Sequence, residues 1–102
     1  MIRGEVWWVD HPSEGRRPHL VLTREPAVPV LLRIVCVPAT RRIRGIGSEV
    51  MLDEDDGMPG ECVLAFDNLR TVSKSLLTER ICTLGPERMR EVCSALRYAT
   101  GC

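Results

Sequence analysis

Apolar and polar positions along this chain alternate in short runs, and helical spacing appears only near the C-terminus. Glu5 to Asp10 (EVWWVD) is aromatic and β-prone, with Val6 and Trp8 on one face and Trp7 and Val9 on the other. His11-Pro12-Ser13-Glu14-Gly15 breaks it. Pro18 to Thr23 predicts a second strand, with the proline at its start where a missing N–H is tolerated. Leu31 to Val37 (LLRIVCV) predicts a third. It is apolar on both faces, the pattern of a central or interface strand rather than a half-solvated one. Short strands are expected at Glu49–Leu52 and Cys62–Phe66, around a turn-rich Asp/Gly/Pro segment, and further strands at Leu69–Val72 and Arg80–Leu84. Ser73 to Glu79 between these last two has room for one helical turn. Gly85-Pro86-Glu87 then opens a helix whose apolar residues Met89, Val92, Cys93 and Leu96 recur at helical spacing until Gly101. Six or seven short strands with one terminal helix define a mainly-β α+β fold, a small coiled antiparallel barrel.

With 102 residues, the chain is expected to form one domain, 1–102. Its 44% hydrophobic and 27% charged residues are globular rather than disordered. No apolar run approaches the ~20 residues of a bilayer span. Met1 to Glu5 lacks the apolar core of a secretory signal, so a cytoplasmic location is expected, with no membrane contact. Cys36, Cys62, Cys82, Cys93 and Cys102 form no C-x-x-C pair and read as buried or spectator thiols.

The formal net charge of zero hides a segregation. Met1 to Gly47 carries eight Arg and four acids, Ser48 to Asn68 seven acids and no base, and Leu69 onward six bases and three acids. Of the fourteen basic residues only Lys74 is lysine. Guanidinium offers a planar fork that matches phosphate oxygens.

Candidate chemistry is sparse. The acidic run Asp53 to Asp56 lacks the spacing of a metal loop, because adjacent residues of an extended segment point to opposite sides. A solvated loop is expected there, with no metal and no cofactor. His11 and His19 carry imidazoles, the side chain most often used for acid–base work, but nothing in the sequence couples them. No nucleophile elbow or phosphate-binding glycine loop occurs. What remains is a set of cationic and hydroxyl residues at strand ends and loops: Arg16 and Arg17 before the second strand, and Thr40, Arg41, Arg42 and Arg44 after the third.

In order along the chain, these motifs resemble the MazF/PemK family of toxin endoribonucleases. Arg3-Gly4-Glu5-Val6-Trp7-Trp8-Val9-Asp10 is similar to that family's opening strand, and Arg17-Pro18-His19-Leu20-Val21-Leu22-Thr23 to its Arg-Pro motif and following strand. Val37-Pro38-Ala39-Thr40 resembles the strand end that carries an active-site Thr. Asp67-Asn68-Leu69-Arg70 resembles a later Asp-Gln or Asp-Asn element, and Gly85-Pro86-Glu87 opens a matching helix.

The resemblance implies an SH3-like, CcdB-like barrel with a C-terminal helix. It further implies metal-independent cleavage of single-stranded RNA by the 2′-OH, leaving 2′,3′-cyclic phosphate and 5′-OH ends. Arg17 and Thr40 are the catalytic pair it implies. Arg16, Arg41, Arg42, Arg44, Asn68 and His11 are the expected RNA-binding residues. A homodimer is expected, held inactive by a cognate antitoxin with an acidic, extended segment. Two other classes stand beside this reading, a non-catalytic RNA-binding barrel and a CcdB-type gyrase poison. The Trp-Gly-Ile ending of the gyrase poisons is replaced here by Thr100-Gly101-Cys102.

Overall fold

The computed structural model describes residues 1–102. Seven strands, β1 (Glu5–His11), β2 (Gly15–Val21), β3 (Arg33–Thr40), β4 (Glu49–Leu52), β5 (Cys62–Ala65), β6 (Arg70–Ser73) and β7 (Leu77–Thr83), precede one helix, α1 (Pro86–Thr100). All pairings are antiparallel, in the order β4-β5-β3-β2-β1-β7, with β6 added beside β3. This is the mainly-β architecture with a terminal helix that the alternation predicts. No helix is long and apolar enough to cross a membrane.

Strand β3 organises the sheet. Its first half, Arg33 to Cys36, pairs with β6, and its last two residues, Ala39 and Thr40, pair with β5. Side chains alternate between faces, so β3 feeds two separate apolar clusters. Ile34 and Cys36 join Val9, Val21, Val28, Val72 and Leu77 on one face. Val37 and Ala39 join Val6, Leu20, Leu64, Phe66 and the α1 residues Val92 and Ala95 on the other.

The third strand starts two residues later than expected. Val30 and Leu31 donate their N–H groups to the carbonyl of Ala27, continuing the short helical turn Glu25–Ala27, so the backbone becomes extended only at Arg33. Leu31 and Leu32 therefore lie outside the strand, 41% and 83% exposed. The strand is apolar on both faces because the same chain covers both, not because a partner covers one.

Strand β2 also differs, beginning at Gly15 rather than Pro18, so Arg16 and Arg17 lie within it, opposite Asp10 and Val9. The turn between β1 and β2 shrinks to Pro12-Ser13-Glu14. Strands β6 and β7 run Arg70–Ser73 and Leu77–Thr83, with the expected helical turn confined to Lys74–Leu76.

The acidic run is structural. The Asp53 carboxylate accepts the N–H of Asp55 and the Asp56 carboxylate that of Asp53, capping a short turn that ends at Gly57. Asp56 also accepts from the Arg88 Nε at 2.9 Å, tying the turn to α1. Burial alone would raise the Asp56 pKa, but the hydrogen bonds from Arg88 and the Asp53 backbone hold it below the usual carboxylate value.

Candidate active site

Two prolines shape the site. Strands β2 and β3 pair only through His19↔Pro38, Leu20↔Val37 and Val21↔Cys36. Neither Pro18 nor Pro38 has an N–H to donate, so the ladder stops there. Two residues further along each strand, on the face shared by His19 and Pro38, stand Arg17 and Thr40. Both line one cavity of about 440 Å³.

That cavity has three walls. Strand β2 supplies Arg16, Arg17 and Pro18; the end of β3 supplies Ala39, Thr40, Arg41 and Arg42; the loop from Met58 to Cys62 closes the third side, and Trp8 of β1 completes the lining. Its cations differ in how they are engaged. Arg16 is neutralised by Glu79 at 3.0 Å and Asp10 at 3.5 Å, and its guanidinium lies 4.8 Å from the Trp8 ring centroid. Arg17, Arg41 and Arg42 make no ion pair and are exposed. Thr40 Oγ1 accepts the N–H of Arg42 at 3.2 Å, which holds the hydroxyl oxygen and leaves its O–H free to donate. Glu61 is the one acid in the lining. A wider groove of about 780 Å³ between β4 and α1 offers Arg90 beside Glu49, Glu87 and Glu91, and no comparable set of free cations.

The expected site residues thus fall into two groups. Arg16, Arg17, Thr40, Arg41 and Arg42 meet in the cavity, whereas Arg44, Asn68 and His11 do not line it. Arg44 lies in a loop whose backbone is pinned by Glu49, which accepts the N–H groups of Arg44 and Gly45. Asn68 ends the turn Phe66–Asn68, and Asp67 beside it accepts from the Ser48 hydroxyl at 2.7 Å. His11 stays at the hairpin turn, its Nδ1 accepting the N–H of Ser13 at 3.2 Å and its Nε2 3.4 Å from Glu14.

Sequence reasoning missed Trp8 and Glu61 as parts of the site. Trp8 read only as a strand residue, Met58 to Gly60 as the end of a turn-rich loop, and Cys62 as the start of a strand. The Asp, Gly and Pro content of the segment signals a turn, and no further sequence signal places it against the end of β3.

His19 is fully buried and does not line the cavity. Its Nδ1 bonds to the carbonyl of Arg17 at 3.1 Å and its Nε2 to Arg70 Nη2 at 2.8 Å. Burial, reinforced by the nearby Arg70 and Arg17 charges, lowers its pKa to about 4, so the ring is neutral at physiological pH. Cys62, at the cavity wall, has its thiol pKa raised by burial and carries no thiolate nucleophile.

These features place the chain among small β-rich proteins with an arginine-lined, hydroxyl-bearing cleft. Residues 2–100 match the family described as PemK-like, MazF-like toxins of type II toxin-antitoxin systems, and the chain belongs to that family. It is 42% identical over 101 residues, covering 98% of this chain and 93% of the relative, to a protein of Mycobacterium tuberculosis named probable endoribonuclease MazF5. Among solved structures it is similar to the M. tuberculosis toxin MazF-mt6, with a TM-score of 0.88, 27% identity and coverage of 95% and 96% of the two chains. It is also similar to a mycobacterial endoribonuclease solved in complex with its cognate antitoxin, with a TM-score of 0.89, 25% identity and coverage of 99% and 95%.

Proposed function

We propose that this protein is a toxin endoribonuclease that cuts single-stranded RNA by attack of the ribose 2′-OH on the adjacent phosphorus. The 2′-oxygen gives up its proton to water as it bonds to phosphorus, the bond to the 5′-oxygen of the next nucleotide breaks and that oxygen takes up a proton from water, and the products are a 2′,3′-cyclic phosphate and a 5′-OH. The observation that carries this reading is that Arg17 and Thr40 line one cleft, beside Arg41 and Arg42 that no carboxylate neutralises.

Because the nucleophile belongs to the substrate, the protein has only to position the chain and stabilise charge on the phosphate oxygens. Arg17 is suited to donate two parallel N–H groups to the non-bridging oxygens, and Thr40 a third hydrogen bond. Arg41 and Arg42 are placed to hold neighbouring phosphates, with Arg16 at the edge of the same surface. Charge that a metal ion would otherwise balance falls to these cations, so the reaction proceeds without one.

The same surface suits an antitoxin segment that is extended, acidic and partly apolar, since carboxylates compete for cations that bind phosphates. The homodimer rests on a different feature from the one the sequence pointed to. Val30, Leu31 and Leu32 form a contiguous apolar stretch, with Val30 77% exposed, that a second copy would cover.

Incubating the purified protein with a long RNA in excess EDTA tests the enzymatic reading. Fragments with cyclic phosphate and 5′-OH ends are expected. Binding without cleavage both in EDTA and in added Mg²⁺ would make the protein a non-catalytic RNA-binding barrel, and cleavage in Mg²⁺ that stops in EDTA would remove the metal-free mechanism.

A further inference from the structure

Arg17 has no side-chain partner, so whatever orients it acts through its backbone. Its carbonyl oxygen is bonded to His19 Nδ1, and this nitrogen must carry the proton because a carbonyl can only accept. His19 Nε2 is then a bare lone pair, and it faces the Nη2 of Arg70, which can only donate. Both ends therefore fix the same tautomer. Arg70 reaches in a second direction as well, from Nη1 to Glu14 Oε2 at 2.6 Å, and Glu14 sits in the turn that joins β1 to β2. The Arg70 hydrogen bond lowers the Glu14 pKa, keeping the carboxylate charged.

The connection crosses the sheet. Arg70 stands on β6 opposite Cys36 of β3, while His19 stands on β2 opposite Pro38 of the same strand. A side chain from one end of the sheet is thus linked through a buried imidazole to the backbone of a cavity residue. Arg70 makes both of its hydrogen bonds through the two Nη atoms, one to His19 and one to Glu14, while its Nε–H is buried with no protein partner.

We propose that Arg70 and His19 form a positioning pair for Arg17, in which His19 fixes the carbonyl of Arg17 while Arg70 fixes the His19 ring and tethers the first hairpin turn through Glu14. The inference rests on the reading of Arg17 as the residue that meets the scissile phosphate. Neither Arg70 nor His19 touches the substrate; both act on the aim of the Arg17 fork. Displacement of a reacting group by about 1 Å costs on the order of 10²-fold in rate, so loosening this support shows in the chemical step rather than in RNA binding.

The test is a double-mutant cycle on single-turnover cleavage of one RNA, read over enzyme concentrations that separate the maximal rate from half-saturation. Arg70→Met is expected to lower the maximal rate about 10-fold with half-saturation nearly unchanged, and to cost nothing further in an Arg17→Ala background. His19→Asn, whose amide N–H falls near the Nδ1 position and can serve the Arg17 carbonyl, should retain more activity than His19→Gln, whose amide falls near the Nε2 position and can serve Arg70 but not that carbonyl. An equal loss from Arg70→Met in both backgrounds, or a loss confined to half-saturation, would overturn the proposal while leaving Arg17 in place. Wild-type rates in Arg17→Ala would remove the reading of Arg17, and the positioning pair with it. Should Arg70→Met fail to fold, Arg70→Lys and the surface variant Glu14→Gln carry the same cycle, with Arg17-dependent loss supporting the pair and Arg17-independent loss opposing it.

Discussion

Arg17 and Thr40 carry the sharpest expectations at the scale of single residues. Removing one preorganised donor to a developing oxyanion commonly costs 10²–10³ in rate, about 3–4 kcal/mol. Arg17→Ala and Thr40→Ala should each lose that order in RNA cleavage at unchanged thermal stability, and Arg17→Lys should recover little, since ammonium keeps the charge without the fork. Near-normal cleavage by either Ala variant would take that residue out of the mechanism. His19 gives a separate, thermodynamic expectation. An unfolded imidazole binds its proton near the ordinary value of 6.5 and the folded one only near 4. Between those values the unfolded state holds more protons, so stability falls as pH drops from about 6.5 towards 4, by on the order of 3 kcal/mol. Urea unfolding midpoints should show this slope in the wild type and lose it in His19→Gln. That Arg17 and Thr40 would meet in one cavity could be anticipated because each sits in a short sequence motif beside a strand-breaking proline or at a strand end. The bond between His19 and Arg70 could not, because its partners are 51 residues apart and meet only through the pairing of β2, β3 and β6.

Strands and turns were legible where alternation and turn chemistry agree. The Trp and Val alternation of β1 and the Gly85-Pro86-Glu87 opening of α1 both formed as their local patterns demand. The start of β3 did not, since the apolar character of Leu31 and Leu32 says nothing about the hydrogen bonds to Ala27 that keep that segment turned. Apolar character was read there as strand, whereas Leu31 and Leu32 are turned out of the sheet and exposed. The loop that builds the third cavity wall depends on Gly57, which ends the capped acidic turn with φ +95°, and a Cβ there would lie 2.8 Å from Cys82 Cβ. Gly57→Ala therefore meets both left-handed backbone strain and a contact with an atom fixed to the backbone. It should lower stability by at least about 1 kcal/mol, measured by thermal unfolding, and should reduce cleavage further by shifting Met58 to Cys62 away from β3. Unchanged melting and activity would mean that this turn does not hold the wall.

For the whole molecule, a net charge of zero conceals how the charges are spent. Asp56 is committed to Arg88, Glu14 to Arg70, and Glu79 and Asp10 to Arg16, while Arg17, Arg41 and Arg42 stay free beside one cavity. The segregation along the sequence hinted at a cationic surface, but which arginines remain unpaired follows only from the fold. RNA binding should weaken steeply with salt, and an Arg41→Glu, Arg42→Glu variant should lose RNA and antitoxin together in competition binding; retained antitoxin affinity would show that the two ligands use different surfaces. Sedimentation should give twice the 11.5 kDa chain mass, shifting towards the single chain in Leu32→Glu, and a single chain in the wild type at micromolar concentration would exclude the dimer. The central claim is that the substrate brings its own nucleophile and the cleft supplies only position and charge. It is tested most directly by single-turnover cleavage, in EDTA, of an RNA carrying one 2′-deoxyribose on the 5′ side of the mapped cut. Binding should match the all-ribose strand and cleavage at that bond should vanish, whereas cleavage that persists there would show that an external nucleophile does the work.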